Sequence, residues 1–213
     1  AKMPANEDED AKGTIFYAAG DSTERLASMP IVQTVLSKGH DVLLCTMDVD
    51  EFVMMTLGNY GEGEDMKYFK NVAGGDLGLE TEDEREAAES MTKENEGLFV
   101  SMQEILGGKV NAVEISSRLT DSPVCLTARG PVSLEMEKMF ANMPQGKDMK
   151  AERVLEINPN HEIFKTLQAA QEAGDTEKVK LFTEILYSQA LLVEGLPLED
   201  PVAYAQAVCQ LMK

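Results

Sequence analysis

A chain of 213 residues, 43% hydrophobic and 27% charged, has the balance of an ordinary soluble globular protein of one or two domains. Its sign is less ordinary: 38 acidic against 19 basic side chains leave a formal charge of −19. Such a field repels phosphate backbones and anionic lipid surfaces, so neither nucleic acid nor membrane is an expected partner. No apolar run approaches the ~20 residues of a membrane span and no signal region precedes the fold, while Ala1-Lys2-Met3-Pro4 reads as a cut edge rather than a natural start.

Cys45, Cys125 and Cys209 are odd in number, far apart and include no Cys-x-x-Cys pair. A disulfide scaffold is therefore not expected, and a reducing cytosol is the natural compartment. The thiols read as small buried hydrophobes. Two histidines, His40 and His161, cannot assemble a local Cys/His zinc site.

Residues 1–13 carry Glu7-Asp8-Glu9-Asp10 and no apolar periodicity, the pattern of a disordered leader. Thr14 to Ala19 is a strand signal stopped by Gly20. Asp21-Ser22-Thr23-Glu24 resembles a capping box, and Leu26, Met29, Val32, Val35 and Leu36 follow at helical spacing. Pro30 divides that run into two short helices. Asp41 to Met47 is a continuous apolar run, expected to be a strand buried on both faces. Asp48 and Asp50 open a helix carrying Phe52, Val53, Met54, Met55 and Leu57, closed by Gly58. The alternation over 14–80 predicts a small α/β subdomain with parallel strands and a right-handed crossover.

From Gly58 to Gly78, glycine and acid surround one short apolar piece, Tyr68-Phe69. Residues 80–96 hold eight acidic side chains against Arg85 and Lys93. They read as the exposed start of one long connecting helix, 81–107, whose apolar face grows through Met91, Leu98, Met102, Ile105 and Leu106. The remainder, 108–213, predicts an α+β domain. Two strand-like runs, Val110 to Ser117 and Pro123 to Ala128, surround Asp121-Ser122, and the second alternates as a half-buried antiparallel strand should. A helix from Val132 to Met143, a strand from Arg153 to Ile157 and three closing helices near 161–173, 175–194 and 201–212 follow.

Catalytic and cofactor motifs fail on their own chemistry. Gly58, Gly61 and Gly63 have the wrong order for G-x-G-x-x-G, and Glu62, Glu64 and Asp65 would repel a pyrophosphate. Asp8 to Gly13 imitates a calcium loop, but Lys12 and Ala19 stand where oxygen ligands are needed. His161-Glu162-Ile163-Phe164-Lys165 misses H-E-x-x-H because lysine replaces the second ligand. No catalytic residue and no metal or cofactor ligand is assigned. One enzymatic or small-molecule alternative stays open, in the crevice where strands end near Gly20 and Asp48.

Two apolar features exceed what a lone domain needs. Val132, Met136, Met139, Phe140 and Met143 form one helical stripe. Methionine is unbranched and polarizable, so this stripe either packs on its own sheet or adapts to irregular partners. The last two helices are apolar on wide faces: Phe182, Ile185, Leu186, Gln189 and Val193 on one, then Tyr204, Val208, Leu211 and Met212 after a cap at Asp200-Pro201. The final helix has a second side, Val202, Ala205, Cys209 and Met212. One side docks on the domain and the other invites a second copy, so the expectation is a homodimer through an intermolecular four-helix bundle.

At several strings the sequence resembles the heat-shock protein 90 chaperone family of the bacterial type. These are Ile15-Phe16-Tyr17-Ala18-Ala19-Gly20-Asp21-Ser22, Met47-Asp48-Val49-Asp50-Glu51-Phe52, Ser117-Arg118-Leu119-Thr120-Asp121-Ser122-Pro123, and Leu155-Glu156-Ile157-Asn158-Pro159-Asn160-His161. Ala190-Leu191-Leu192 with Gly195 and Leu198-Glu199-Asp200-Pro201 complete the order. The resemblance implies a fragment, the end of a middle domain plus a C-terminal dimerisation domain whose third string would form a hairpin. In the intact family it implies an ATP- and magnesium-dependent clamp acting on partly folded clients. The nucleotide-binding domain is absent, so the fragment is expected to be no enzyme and to hold no cofactor. Val132, Met136, Met139, Phe140 and Met143 would contact clients, by likeness to the family's amphipathic client helix. The chain stops at Met212-Lys213 without a Met-Glu-Glu-Val-Asp tail, so tail-binding co-chaperones are not expected.

Overall fold

The computed structural model describes residues 13–47, 49–74, 77–141 and 149–212; nearly all of the expected leader, Asp48 and Met143 lie outside them. The chain divides into two compact units, Ala1–Thr81 with Ala128–Ala151, and Glu82–Thr127 with Glu152–Lys213.

In the first unit β1 (Thr14–Ala19) leads through α1 (Thr23–Ser28) and α2 (Pro30–Ser37) to β2 (Val42–Cys45), then through α3 (Asp50–Leu57) and β3 (Asn59–Tyr60) to β4 (Lys67–Asn71). The strand order is β2-β1-β4-β3. β1 runs parallel to β2 with Phe16 opposite Val42, and parallel to β4 with Tyr17 opposite Asn71; β3 is antiparallel to β4. The central position of β1 buries Ile15, Phe16, Tyr17 and Ala18. Phe16 and Ala18 join Leu26, Ile31, Val32, Val35, Val72 and Leu77 in a core, each large side chain contributing roughly 1.5–3 kcal/mol by leaving water.

Local chemistry sets the ends of α1 and α2. Ser22 caps α1 by accepting from the Arg25 N–H at 3.3 Å. The expected capping box lacks its reciprocal half, because the third helical position is Arg25 rather than Glu24; Arg25 pairs instead with Asp21 at 2.9 Å. Pro30 occupies the first position of α2, where its missing N–H costs no helical bond.

Two expectations change in this unit. β2 is an edge strand, so Leu43 is 46% exposed where burial on both faces was expected. β4, which reads as a polar stretch around Tyr68-Phe69, lies inside the sheet beside β1. The β3–β4 turn requires Gly61: at φ +99°, a Cβ there would stand 2.5 Å from the Asp65 carbonyl oxygen.

The second unit begins with α4 (Glu82–Glu94) and α5 (Glu96–Leu106), two helices where one was expected. The break is at Asn95, which leaves helical geometry at φ −106°, ψ 18° and spends its side chain on the Met91 carbonyl at 2.8 Å. β5 (Ala112–Ile115), β6 (Val124–Arg129) and β7 (Glu152–Ile157) form a sheet in the order β5-β7-β6, with β5 parallel to β7. β5 and β6 are therefore not partners, and the implied hairpin does not form because β7 lies between them. Val124 to Ala128 are all buried, so β6 is covered on both faces rather than half-buried. α7 (Glu162–Glu172), α8 (Thr176–Glu194) and α9 (Pro201–Leu211) complete the unit. α6 (Leu134–Ala141), expected within a single domain over 108–213, clusters with the first unit.

Candidate interaction surfaces

The most distinctive sequence strings meet around one buried ion pair. Arg118 donates from Nε to Glu156 Oε2 at 3.1 Å and pairs with Oε1 through its terminal nitrogen. Ser116 donates to Oε2 at 2.8 Å and Thr127 to Oε1 at 3.0 Å. Burial pushes the Glu156 carboxyl up, but the Arg118 charge and these hydrogen bonds outweigh it and hold the group below its ordinary value. One turn on, Asn158 donates to the Thr120 and Ser122 carbonyls, both at 2.9 Å, and accepts from the Asn160 N–H at 2.9 Å. His161 then caps α7 by accepting from the Ile163 N–H at 3.2 Å. These residues are committed to one another, which is a structural role.

The methionine-rich stripe belongs to α6 and the residues before it. Val132 precedes the helix and is half-buried; Met136 is only 8% exposed, with Leu134 buried beside it. Met139 and Phe140 are half-buried, and Met143 falls outside the described residues. Ser133 caps the helix by accepting from the Met136 N–H at 3.1 Å. The Phe140 ring meets Phe52 of α3 edge-on, centroids 6.0 Å apart. α3 extends the same apolar surface: Val49, Val53, Met55 and Leu57 are exposed and Phe52 and Met54 half-buried. Sequence reasoning gave α3 no binding role. Its signal was present, an apolar helix whose hydrophobes point too many ways for one sheet to cover.

The closing helices divide the expected pairing residues. Ile185 and Leu186 are buried within the chain, and Phe182, Gln189 and Val193 are half-buried on α8. α9 is capped by Asp200, which accepts from the Val202 and Ala203 N–H groups at 3.0 and 2.9 Å. It turns Ala207, with half-buried Tyr204 and Val208, toward its own unit. Its other side stays open, with Val202 66%, Leu211 46% and Met212 79% exposed, beside exposed Ala205 and Cys209; Leu192 of α8 is exposed too. Between α5, α8 and α9 lies a groove of about 170 Å³ whose rim is tied by the Lys109–Glu199 pair at 2.9 Å.

At the crevice by β1, the Gly20 N–H donates to the Cys45 carbonyl at 3.1 Å, and Leu26 approaches within 3.0 Å of where a Gly20 Cβ would stand. Asp48 is outside the described residues. Among the described residues no group of three or more His, Cys, Asp or Glu side chains is arranged to hold a metal ion, and no helix is long and apolar enough to cross a membrane.

The Hsp90 protein family model matches residues 5–213. Over its whole length the chain is 49% identical to the chaperone protein HtpG of Clostridium botulinum (strain Langeland), covering 32% of that protein. It is 49% identical over 199 residues to the HtpG of Clostridium perfringens (strain ATCC 13124) and 47% identical over 198 to that of Bacillus subtilis (strain 168); each match takes in 93% of the chain and 31% of the relative. The chain thus spans about a third of the length of the curated relatives it matches. With a match over nearly every residue and close to half of them identical, the chain belongs to the Hsp90 protein family.

Proposed function

We propose that this chain is the pairing and client-holding part of an Hsp90-type molecular chaperone. Two copies join through α9 and the adjoining end of α8, and each copy presents the α3–α6 apolar surface to partly folded protein. The relatives are chaperone proteins, and the open apolar side chains of α9 and α3 support the reading. The observation that carries the reading is α9, an eleven-residue helix with Ala207 as its single buried side chain and Val202, Leu211 and Met212 open. A surface helix of a monomer is not expected to leave that much apolar area in water. Contributed by two copies, α8 and α9 form a four-helix bundle.

Pairing makes client contact bivalent and raises effective concentration without any new kind of contact. The −19 charge helps to keep exposed apolar surfaces soluble. The reading includes no covalent chemistry: the chain is the end of a middle domain followed by a dimerisation domain, and it neither binds nor hydrolyses ATP by itself. Sedimentation equilibrium at micromolar concentration tests the pairing. A mass of about twice 23.3 kDa is expected, and a single species at 23.3 kDa overturns it. Suppression of aggregation of a chemically unfolded test protein checks the client surface.

A further inference from the structure

The groove between α5, α8 and α9 stays open because one of its walls is built from small side chains. α9 lines it with Ala203 and Ala207, one turn apart, where larger residues would fill the space. α8 lines it with Glu184, Ser188 and Leu191, which helical spacing sets in one row. Leu191 and Leu106 of α5 are buried and make the lining apolar beneath the rim. A volume of about 170 Å³ is close to the roughly 150 Å³ of a cavity that takes up one benzene molecule.

The polar lining is unbalanced. Three carboxylates, Glu184, Glu199 and Asp200, stand against one cation, Lys109. Two of the three are committed: Glu199 pairs with Lys109 at 2.9 Å, and Asp200 accepts from the first N–H groups of α9. Among the described residues the Glu184 carboxylate makes no ion pair or hydrogen bond, and neither the Ser188 hydroxyl nor the Tyr204 phenol has a hydrogen-bond partner. The surplus negative charge repels anions, and a neutral apolar molecule would leave the carboxylate unused. An ammonium group carries one positive charge and three N–H donors, which matches one carboxylate and two hydroxyl oxygens.

We propose that this groove binds a small primary amine in its ammonium form. The ammonium donates to Glu184, Ser188 and Tyr204, and an apolar body of about benzene size lies against Leu106, Leu191 and the two alanines. The charge-assisted bond to Glu184 sets the preference for a cation. The space suits a free amine rather than a length of peptide. Ala203 and Ala207 stand on a different side of α9 from Val202 and Met212, so an occupant neither needs nor blocks the pairing proposed above.

Isothermal titration of the 213-residue chain with phenethylamine near neutral pH tests it. Saturable binding is expected with a dissociation constant on the order of 1 mM or tighter, as suits so small a ligand. 2-Phenylethanol has the same shape without the charge and should bind at least about tenfold more weakly, while 3-phenylpropionate should not bind. Glu184→Gln should weaken the amine about tenfold and leave the alcohol as it was. Ala203→Leu fills the groove and should remove both. Glu184 is exposed, so Glu184→Gln keeps the fold and carries the test even where Ala203→Leu disturbs α9. No saturable binding of phenethylamine, equal binding of amine and alcohol, or undiminished binding in Glu184→Gln overturns the site. Tighter binding of a lysine-containing tripeptide than of phenethylamine overturns the free amine as occupant.

Discussion

The Phe52 ring of α3 and the Phe140 ring of α6 meet with planes at 60° and centroids 6.0 Å apart, which joins two helices distant in sequence into one apolar surface. Both rings are half-buried, so each can lose its contacts without collapse of the core. Phe52→Ser and Phe140→Ser should each weaken aggregation suppression several-fold, and the double variant should lose little more, because contacting residues do not add. Met136→Ser behaves differently. That side chain is buried, and its loss should cost about 2–4 kcal/mol in urea unfolding as a packing defect.

Pairing at α9 is tested on side chains that one chain leaves open. Val202 and Met212 are 66% and 79% exposed, so Val202→Asp with Met212→Asp should halve the sedimenting mass while the single chain stays folded, its stability falling only by the pairing energy lost. Asp200→Ala removes the cap on two N–H groups, at a cost of about 1 kcal/mol of helix. Because pairing requires the folded helix in both copies, about 2 kcal/mol is lost per dimer and the dissociation constant should rise by up to about thirtyfold. An unchanged mass in the first variant places the interface elsewhere.

Arg118 and Glu156 predict opposite pH responses before and after one substitution. With its carboxyl held below 4.5, the pair contributes stability that is full above that value and is lost as pH falls through the lower, folded one. Arg118→Met leaves the carboxylate buried without its cation and should cost about 3–5 kcal/mol. Burial then dominates, and the folded value rises above 4.5. The variant should therefore gain stability as pH drops from about 7 to 5, where the original gains nothing from this group. Urea midpoints at both pH values check the sign.

Among the described residues neither ring nitrogen of buried His40 has a hydrogen-bond partner, and its ring lies against Phe16 with centroids 5.5 Å apart. An unsatisfied buried polar group costs roughly 1–3 kcal/mol. His40→Leu should accordingly raise the melting temperature by several degrees; a fall of that size would mean that the ring is satisfied in solution.

Features decided by near neighbours were legible in the residues. The β1 strand, the split at Pro30, the cap at Asp200 and the two-sided α9 all follow from contacts within about four positions along the chain. The strings around Arg118 and Glu156 pointed to a family for a related reason: a buried charge needs particular partners, so the residue types are distinctive.

Burial was decided elsewhere. Leu43 and Ile15 sit in equally apolar runs, yet one is open and the other covered, because β1 has neighbours on both sides and β2 on one. β7 separates β5 from β6 although it follows both in the chain. α3 buries a glutamate and leaves its methionines half-buried or open, which periodicity could not foretell, since the Asn71 and Ser133 partners of that Glu51 carboxyl lie 20 and 82 positions away in the numbering. Side-chain type sets what a residue can offer; which neighbour removes it from water depends on long-range packing, and that emerges only when distant segments meet.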